Sequence, residues 1–175
     1  NYSIIPGSGI DLDKYKKKIV KKNTKFKFLF VGRLLIDKGL NEFLKSAAMI
    51  KQKSGMTVFV ILGKLDQNNP RSVNKIMFDK FKKKEIIKYI GFKNNVIPYI
   101  IDSDCVVLPS YREGLSRSLL EAASLSKPLI ASNVPGCEEL IEESVNGFLC
   151  EAKNYISLAE SMEKIINLNP NKIIQ

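Results

Sequence analysis

The chain has 175 residues, enough to bury a substantial core as one domain, and 45% hydrophobic with 26% charged content is ordinary for a globular protein. No apolar run approaches the roughly 20 residues a membrane-spanning helix needs, and the scattered Cys105, Cys137 and Cys150 lack any C-x-x-C spacing, so they read as small buried hydrophobes rather than a metal or redox centre. A formal charge of +10, with no histidine, favours acidic partners such as nucleotides, anionic lipid headgroups or nucleic acid, without choosing among them.

Residues 1–25 form an entry segment, with the turn-rich Ile4 to Asp11 followed by the basic run Lys14 to Lys25. Asn1 is not an initiator methionine, so the chain is expected to belong to a longer polypeptide. Residues 26–175 are expected to form the domain proper. Phe26 to Val31 is a strand candidate ending at Gly32 and Arg33, and helical spacing over Gly39 to about Ser54 puts Leu40, Phe43, Leu44, Ala47 and Ala48 on one face. Thr57 to Leu62 is a second strand ending at Gly63. The loop 63–72 leads to a helix predicted over Arg71 to Lys84, apolar at Val73, Ile76, Met77 and Phe81 and basic outside. Glu85 to Ile90 predicts a strand closing on Gly91, Val96 to Ile101 a short helix, and Cys105 to Leu108 a buried strand. A helix over Arg117 to Leu125 has Leu119, Leu120, Ala123 and Leu125 as its candidate buried side. Leu129 to Ala131, Cys137 to Glu142 and Gly147 to Cys150 read as strand, short helix and strand; Ile156 to Leu168 is a last amphipathic helix, broken at Pro170. Strands alternating with helices through short Gly-bearing loops predict an α/β fold, a doubly wound parallel sheet covered on both faces. Ligands of such sheets sit at the carboxyl ends of the strands, where Arg33, Gly63, Gly91 and Glu113 fall.

The segment Ser110 to Pro128 concentrates the chemistry. Gly114 and Ser116 stand at the turn between strand and helix, where the amides of the helix start lack intrahelical acceptors and make a seat for an anion. Glu113 precedes that helix and Glu121 lies inside it. Amides plus two spaced acids suit a phosphorylated, hydroxyl-rich ligand. The competing reading is an acid favouring the helix dipole and a solvated mid-helix Glu.

Glu113, seven intervening residues and Glu121, set in Leu-Pro-Ser-x-x-Glu-Gly and Leu-Leu-Glu-Ala, resembles the Glu-x7-Glu signature of retaining family-four glycosyltransferases with the GT-B architecture. Gly32-Arg33 with Lys38-Gly39, the loop from Gly63 to Ser72, Val134 to Glu139 and Asn146-Gly147 resemble further elements of that family in the same order. The resemblance runs from about residue 4 to the last helix. It implies a Rossmann-like, nucleotide-sugar donor-binding half of such an enzyme, in a subgroup that elongates bacterial lipid-linked and polysaccharide sugars, with UDP as the nucleotide. It implies that Glu113 faces the donor sugar as the catalytic residue, and that the amides of Gly114, Leu115, Ser116, Arg117 and Ser118 meet the diphosphate. Glu121 would bind the ribose, Arg33 and Lys38 would clamp the diphosphate, and Phe92 and Lys93 would lie against the base. Lys38 taken alone also reads as one of many solvated lysines. Ser116-Arg117-Ser118 departs from the family's usual Gly-Leu-Val, placing an extra cation beside the diphosphate or in solvent. Glu139 is expected to hold loop or helix amides. Asp102-Ser103-Asp104 spells a metal-binding Asp-x-Asp, but precedes a buried strand and is expected to be structural. Neither a metal nor another cofactor is expected.

The resemblance further implies a saccharide or lipid-linked acceptor and an N-terminal acceptor-binding domain carrying the family's histidine, so this part alone is expected to transfer little sugar. A cytoplasmic location follows from it, with peripheral contact at an anionic membrane face as a further expectation. Two other classes compete: a non-catalytic nucleotide-binding module, and a basic nucleic-acid-binding domain. Charge alone supports the latter, without an aromatic stacking signature, so nucleic acid is not the expected partner.

Overall fold

The computed structural model describes residues 9–15, 25–53 and 55–168. Ile4 to Ser8, most of the basic run after Lys14, and Pro170 lie outside the described residues.

Six parallel strands form one sheet in the order β3-β2-β1-β4-β5-β6, with β1 Phe26–Val31, β2 Thr57–Leu62, β3 Lys88–Gly91, β4 Cys105–Leu108, β5 Leu129–Ser132 and β6 Gly147–Cys150. The helices are α1 Leu40–Lys53, α2 Lys75–Lys83, α3 Ile97–Ile101, α4 Arg117–Ser124 and α5 Tyr155–Asn167. The chain builds outward from β1 to β3, then returns to the other side of β1 for β4. Right-handed crossovers therefore put α1 and α2 on one face and α3 and α4 on the other, while α5 comes back to pack on α1. The reversal leaves a crevice between the carboxyl ends of β1 and β4, where open α/β sheets bind ligands.

Central strands are covered on both faces, which is why they read as continuous apolar runs rather than alternating ones. Phe28 and Phe30 share a face by the two-residue period of a strand. On that face Phe28 stacks on Phe59 at 5.3 Å between ring centres, and Phe43 of α1 meets both Phe30 and Phe59. Leu29, Val106 and Ile130 are fully buried in the same sheet.

Three boundaries, each for a local reason, and one buried face differ from the sequence reading by more than a residue. The helix predicted from Arg71 starts at Lys75, because the Asn74 side chain accepts from Met77 N and caps it. Ser72 instead bridges to Leu35, and Val73 N donates to the Leu34 carbonyl. The strand predicted from Glu85 starts at Lys88, because Glu85 takes a left-handed turn (φ 54°) and Ile86 N still bonds the Phe81 carbonyl. The helix predicted over 137–142 is a single 3₁₀ turn, Glu138–Leu140, after which Ile141 is extended and the Asn146 side chain takes Glu142 N. On α4 the buried residues are Leu119, Glu121 and Ala122, with Leu125 just beyond, while Ala123 faces solvent and Leu120 is half-buried.

Asp102 and Asp104 are both engaged by Lys27 at the amino-terminal end of the sheet. The Lys27 amide donates to Asp104 Oδ2 at 2.7 Å and its ammonium pairs with Asp102. The pair thus ties the entry of β4 to β1, at the end away from the crevice. All three cysteines are buried, and burial pushes the Cys137 and Cys150 thiols up to about 12.

Gly39 ends the turn Ile36–Lys38 in the left-handed region (φ 70°), and a Cβ there would lie 1.8 Å from the Pro109 carbonyl oxygen. Gly91 also has a positive φ, 84°, but a Cβ there meets nothing within 4 Å. Gly91→Ala should therefore cost only the backbone strain, about 1–2 kcal/mol. Gly39→Ala should cost at least about 4 kcal/mol, since strain and a main-chain clash add. Urea unfolding midpoints of the two variants check this; equal losses would mean that the Pro109 contact is not rigid.

Candidate active site at the carboxyl ends of the strands

The loop after β1 and the loop after β4 are fastened to each other. Ser110 Oγ donates to the Asp37 carbonyl at 3.0 Å and to the Arg112 carbonyl at 3.2 Å, and Tyr111 N donates to the same Asp37 carbonyl at 2.9 Å. The Tyr111 hydroxyl donates to Glu42 Oε1 at 2.8 Å, and Glu42 is 8% exposed in the first turn of α1. Lys153 stands over the Tyr111 ring, 5.2 Å from its centre. The result is that Lys38, at the end of one loop, meets Glu113, at the end of the other, with Nζ 2.6 Å from Oε1. Both side chains are largely shielded, at 17% and 13% exposure, so this pair is less screened than a surface one. The reading of Lys38 as one more solvated lysine is overturned.

Behind Glu113 the chain turns through Gly114 and Leu115 into α4. Ser116 caps the helix, its Oγ facing Leu119 N at 3.5 Å and Ser118 Oγ at 3.2 Å. A third loop, after β5, backs this turn. Ser116 N donates to the Gly136 carbonyl, and a Cβ on Gly136 (φ 82°) would lie 1.8 Å from the Gly114 carbonyl oxygen. Glu139 Oε2 accepts from Gly136 N at 2.6 Å, the amide-holding role expected of it. The amides of Gly114 and Leu115 have no acceptor among the described residues, and those of Arg117 and Ser118 stand in the first helical turn, where no intrahelical acceptor exists. The turn therefore presents main-chain donors beside the Lys38–Glu113 pair.

Glu121, two turns along α4, is 9% exposed rather than solvated. Its Oε1 accepts from the Tyr15 hydroxyl at 3.0 Å and lies 3.8 Å from Arg117 Nη2. The Arg117 side chain is otherwise mostly in solvent, at 74% exposure. Burial and the Glu121 carboxylate together raise the Tyr15 pKa, so the phenol stays a donor. Tyr15 follows the 3₁₀ turn Leu12–Lys14, which Asp11 caps through Asp13 N.

Arg33, Phe92 and Lys93 gather elsewhere on the same edge. They line a largely apolar cleft of about 360 Å³, with Gly63 and Lys64, across the ends of β1, β2 and β3. Tyr89 braces it by donating to the Gly63 carbonyl at 3.0 Å. Arg33 is exposed there, and among the described residues no hydrogen bond or ion pair joins it to Lys38 or Glu113. Lys38 thus pairs with Glu113, while Arg33 lines the apolar cleft.

Three partners escaped the sequence reading: Tyr15, Glu42 and Tyr111. Tyr15 lies 106 positions from Glu121, a separation that no periodicity reports. Glu42 falls opposite the apolar stripe of α1 and is covered by Tyr111. Only Tyr111, beside the motif, carried a local hint.

This arrangement is a doubly wound parallel domain, one half of the GT-B architecture, with a strand-end site. The chain belongs to the glycosyl transferases group 1 family, whose model matches residues 11–174. It is 30% identical over 175 aligned positions to N,N'-diacetylbacillosaminyl-diphospho-undecaprenol alpha-1,3-N-acetylgalactosaminyltransferase of Campylobacter jejuni, covering 93% of this chain and 44% of that protein. It is 31% identical over 183 positions to UDP-Gal:alpha-D-GlcNAc-diphosphoundecaprenol alpha-1,3-galactosyltransferase of Escherichia coli, covering 95% and 46%. Anabaena Alr3699/HepE in complex with UDP and glucose has the same fold, with a TM-score of 0.80 at 20% identity over 95% of this chain and 48% of that one. The C-terminal domain of the group 1 family protein LpcC from Francisella tularensis matches with a TM-score of 0.78 at 23% identity, covering 95% of this chain and 93% of that one. The chain thus spans less than half the length of these two curated relatives. Among the described residues no helix is long and apolar enough to cross a membrane.

Tyr111 and Tyr15 are both held protonated, by burial first and by a carboxylate partner second; Tyr111 is raised furthest. A phenol whose pKa is raised on folding adds stability that is complete below its unfolded value of 10.0 and fades as pH climbs past it. Urea midpoints should begin to fall near pH 9, where the thiols of the unfolded chain ionise and the buried ones do not, and should fall more steeply past pH 10 as the two phenols add to the loss. Tyr111→Phe should lower stability below pH 10 by about 1–3 kcal/mol, since Glu42 loses a donor, and should shrink the alkaline fall. An unchanged alkaline limb in the variant would disprove that origin.

Proposed function

We propose that this domain binds a nucleoside-diphosphate sugar, a UDP-sugar in particular, and serves as the donor half of a retaining glycosyltransferase that works without a metal ion. The observation that carries the proposal is the shielded Lys38–Glu113 pair at the mouth of the α4 amide turn. The diphosphate lies on the free amides of Gly114, Leu115, Arg117 and Ser118, with Lys38 on one side and Arg33 toward the base. An apolar cleft with Phe92 and Lys93 receives the base. Glu121 accepts from the ribose hydroxyls, its orientation fixed by Tyr15. As the glycosidic bond breaks, negative charge grows on the diphosphate leaving group, and fixed donors aimed at it lower the transition state more than the ground state. Glu113 orients the donor sugar and favours the positive charge developing at its anomeric carbon; it is not assigned as a nucleophile. A second domain of similar size supplies the acceptor surface. The acceptor is a lipid-linked saccharide, a reading supported by the diphosphoundecaprenol-linked substrates in the names of the two relatives.

The chain by itself should bind UDP and gain about 2.7 kcal/mol of stability at a hundred times the dissociation constant. UMP should bind far less well. Lys38→Ala should weaken UDP by about ten- to a hundred-fold, the loss of one charge-assisted contact. Glu121→Gln should weaken UDP about ten-fold, while Glu113→Gln leaves UDP binding near normal and depresses kcat in the full-length enzyme. Calorimetry of the chain and kinetics of the full-length enzyme check these; no UDP binding, or equal affinity losses for both acid variants, would overturn the reading.

A further inference from the structure

The charge of +10 is not spread evenly over the molecule. Residues 71–93 hold eight basic and two acidic residues, a net of +6, and they make up α2, β3 and the loops flanking them. Residues 129–168 hold two basic and seven acidic residues, a net of −5, and they include β5, β6 and α5. β3 and β6 are the two edges of the sheet, so the domain is electrically polarised across it.

The positive edge has an ordered face. Phe78 of α2 is buried against Tyr89 of β3, and Met77 and Phe81 are half-buried. That fixes the rotation of the helix and turns Ile76, Lys80 and Lys83 outward, with Lys84 just past its end. Ile76 is 82% exposed, the most exposed of the large hydrophobic residues described. Lys75 is paired with Asp79, but Lys80, Lys82, Lys83, Lys84 and Lys88 have no carboxylate partner among the described residues. The Asp79 carboxyl is held low by its bond from Lys75 and, further, by the field of Lys82 and Lys83.

We infer that this face docks on an anionic phospholipid bilayer. Lysines without internal partners meet a diffuse layer of headgroup charge, and each near such a surface contributes attraction that salt screens. One apolar side chain among them can enter between headgroups while the long lysine stems bend outward. A nucleic acid fits less well. Seven of the eight basic residues are lysines, point charges without the planar fork that reads bases or clamps phosphates. The aromatic rings Phe78, Phe81 and Tyr89 face inward, which leaves α2 no stacking platform.

Co-sedimentation of the chain with phosphatidylcholine vesicles, with and without phosphatidylglycerol, tests the inference. Binding should need the anionic lipid and weaken steeply with salt. Lys80→Gln, Lys83→Gln and Lys84→Gln together should weaken it roughly a hundred-fold, at about five-fold per lysine, and Ile76→Ser should weaken it several-fold. The same number of charges removed at Lys16, Lys17 and Lys18 should matter less. Equal losses from the two triple variants would show attraction by net charge alone and overturn the assignment of this face. Tighter binding of single-stranded polyuridine than of the vesicles, lost in the α2 variant, would overturn it in favour of nucleic acid, and no vesicle binding would overturn it outright. UDP binding by the α2 variant, followed in parallel, separates these outcomes from misfolding and from any failure of the donor-site reading.

Discussion

Everything at the strand ends depends on how closely two loops approach at the switch point of the sheet. Residue 39 must lack a side chain because the Pro109 carbonyl occupies the space, and it must accept a positive φ to end the turn. Once there, the Asp37 carbonyl takes two donors from the opposite loop, Ser110 Oγ and Tyr111 N. These bonds are short and mostly shielded, and they fasten the two loops to each other. The ion pair of Lys38 with Glu113 follows from that geometry rather than creating it. A charge pair alone would not fix a loop, because the cost of desolvation offsets most of its Coulombic gain.

The two acids of the motif sit in different surroundings, and that difference separates their chemistry. Glu113 is held by an ammonium at the edge of the amide turn. Glu121 is held by a neutral phenol and, more loosely, by an exposed guanidinium. The phenol is a directional donor that fixes the carboxylate's orientation without cancelling its charge, so Glu121 keeps full acceptor strength for hydroxyl groups. Tyr15 also brings the entry segment into the site. The chain leading into the domain thus touches the same side chain that the donor-binding reading assigns to the ribose.

Much of this was legible in the sequence. The strands Phe26–Val31, Thr57–Leu62, Cys105–Leu108 and Gly147–Cys150 are where the apolar runs put them, the first two closing on Gly32 and Gly63. The Glu113–Glu121 spacing lies on the strand, turn and helix that it implied. What stayed hidden was whatever one side chain decided. Asn74 moved the start of α2, Asn146 shortened the turn at Glu138–Leu140, and the left-handed Glu85 delayed β3. Periodicity describes the face a helix would bury against a sheet. It does not know that Tyr111 will cover Glu42, or that Tyr15 will reach Glu121, because those partners come from loops.

The sum of charges was the least informative quantity, and its distribution the more telling one. At the amide turn the side-chain charges nearly cancel: Lys38 with Glu113, and Arg117 with Glu121. An anion there is favoured by oriented main-chain dipoles rather than by an excess of cations. Lys38 has three donor hydrogens, and one contact to Glu113 leaves two. It can therefore hold the acid in place and still reach a phosphate oxygen, linking the group that faces a sugar to the group that leaves. In a site so balanced, removing Lys38 would do more than subtract an attraction. It would leave Glu113 as an uncompensated, largely buried carboxylate beside the arriving anion, and the repulsion between the two would add to the lost bond.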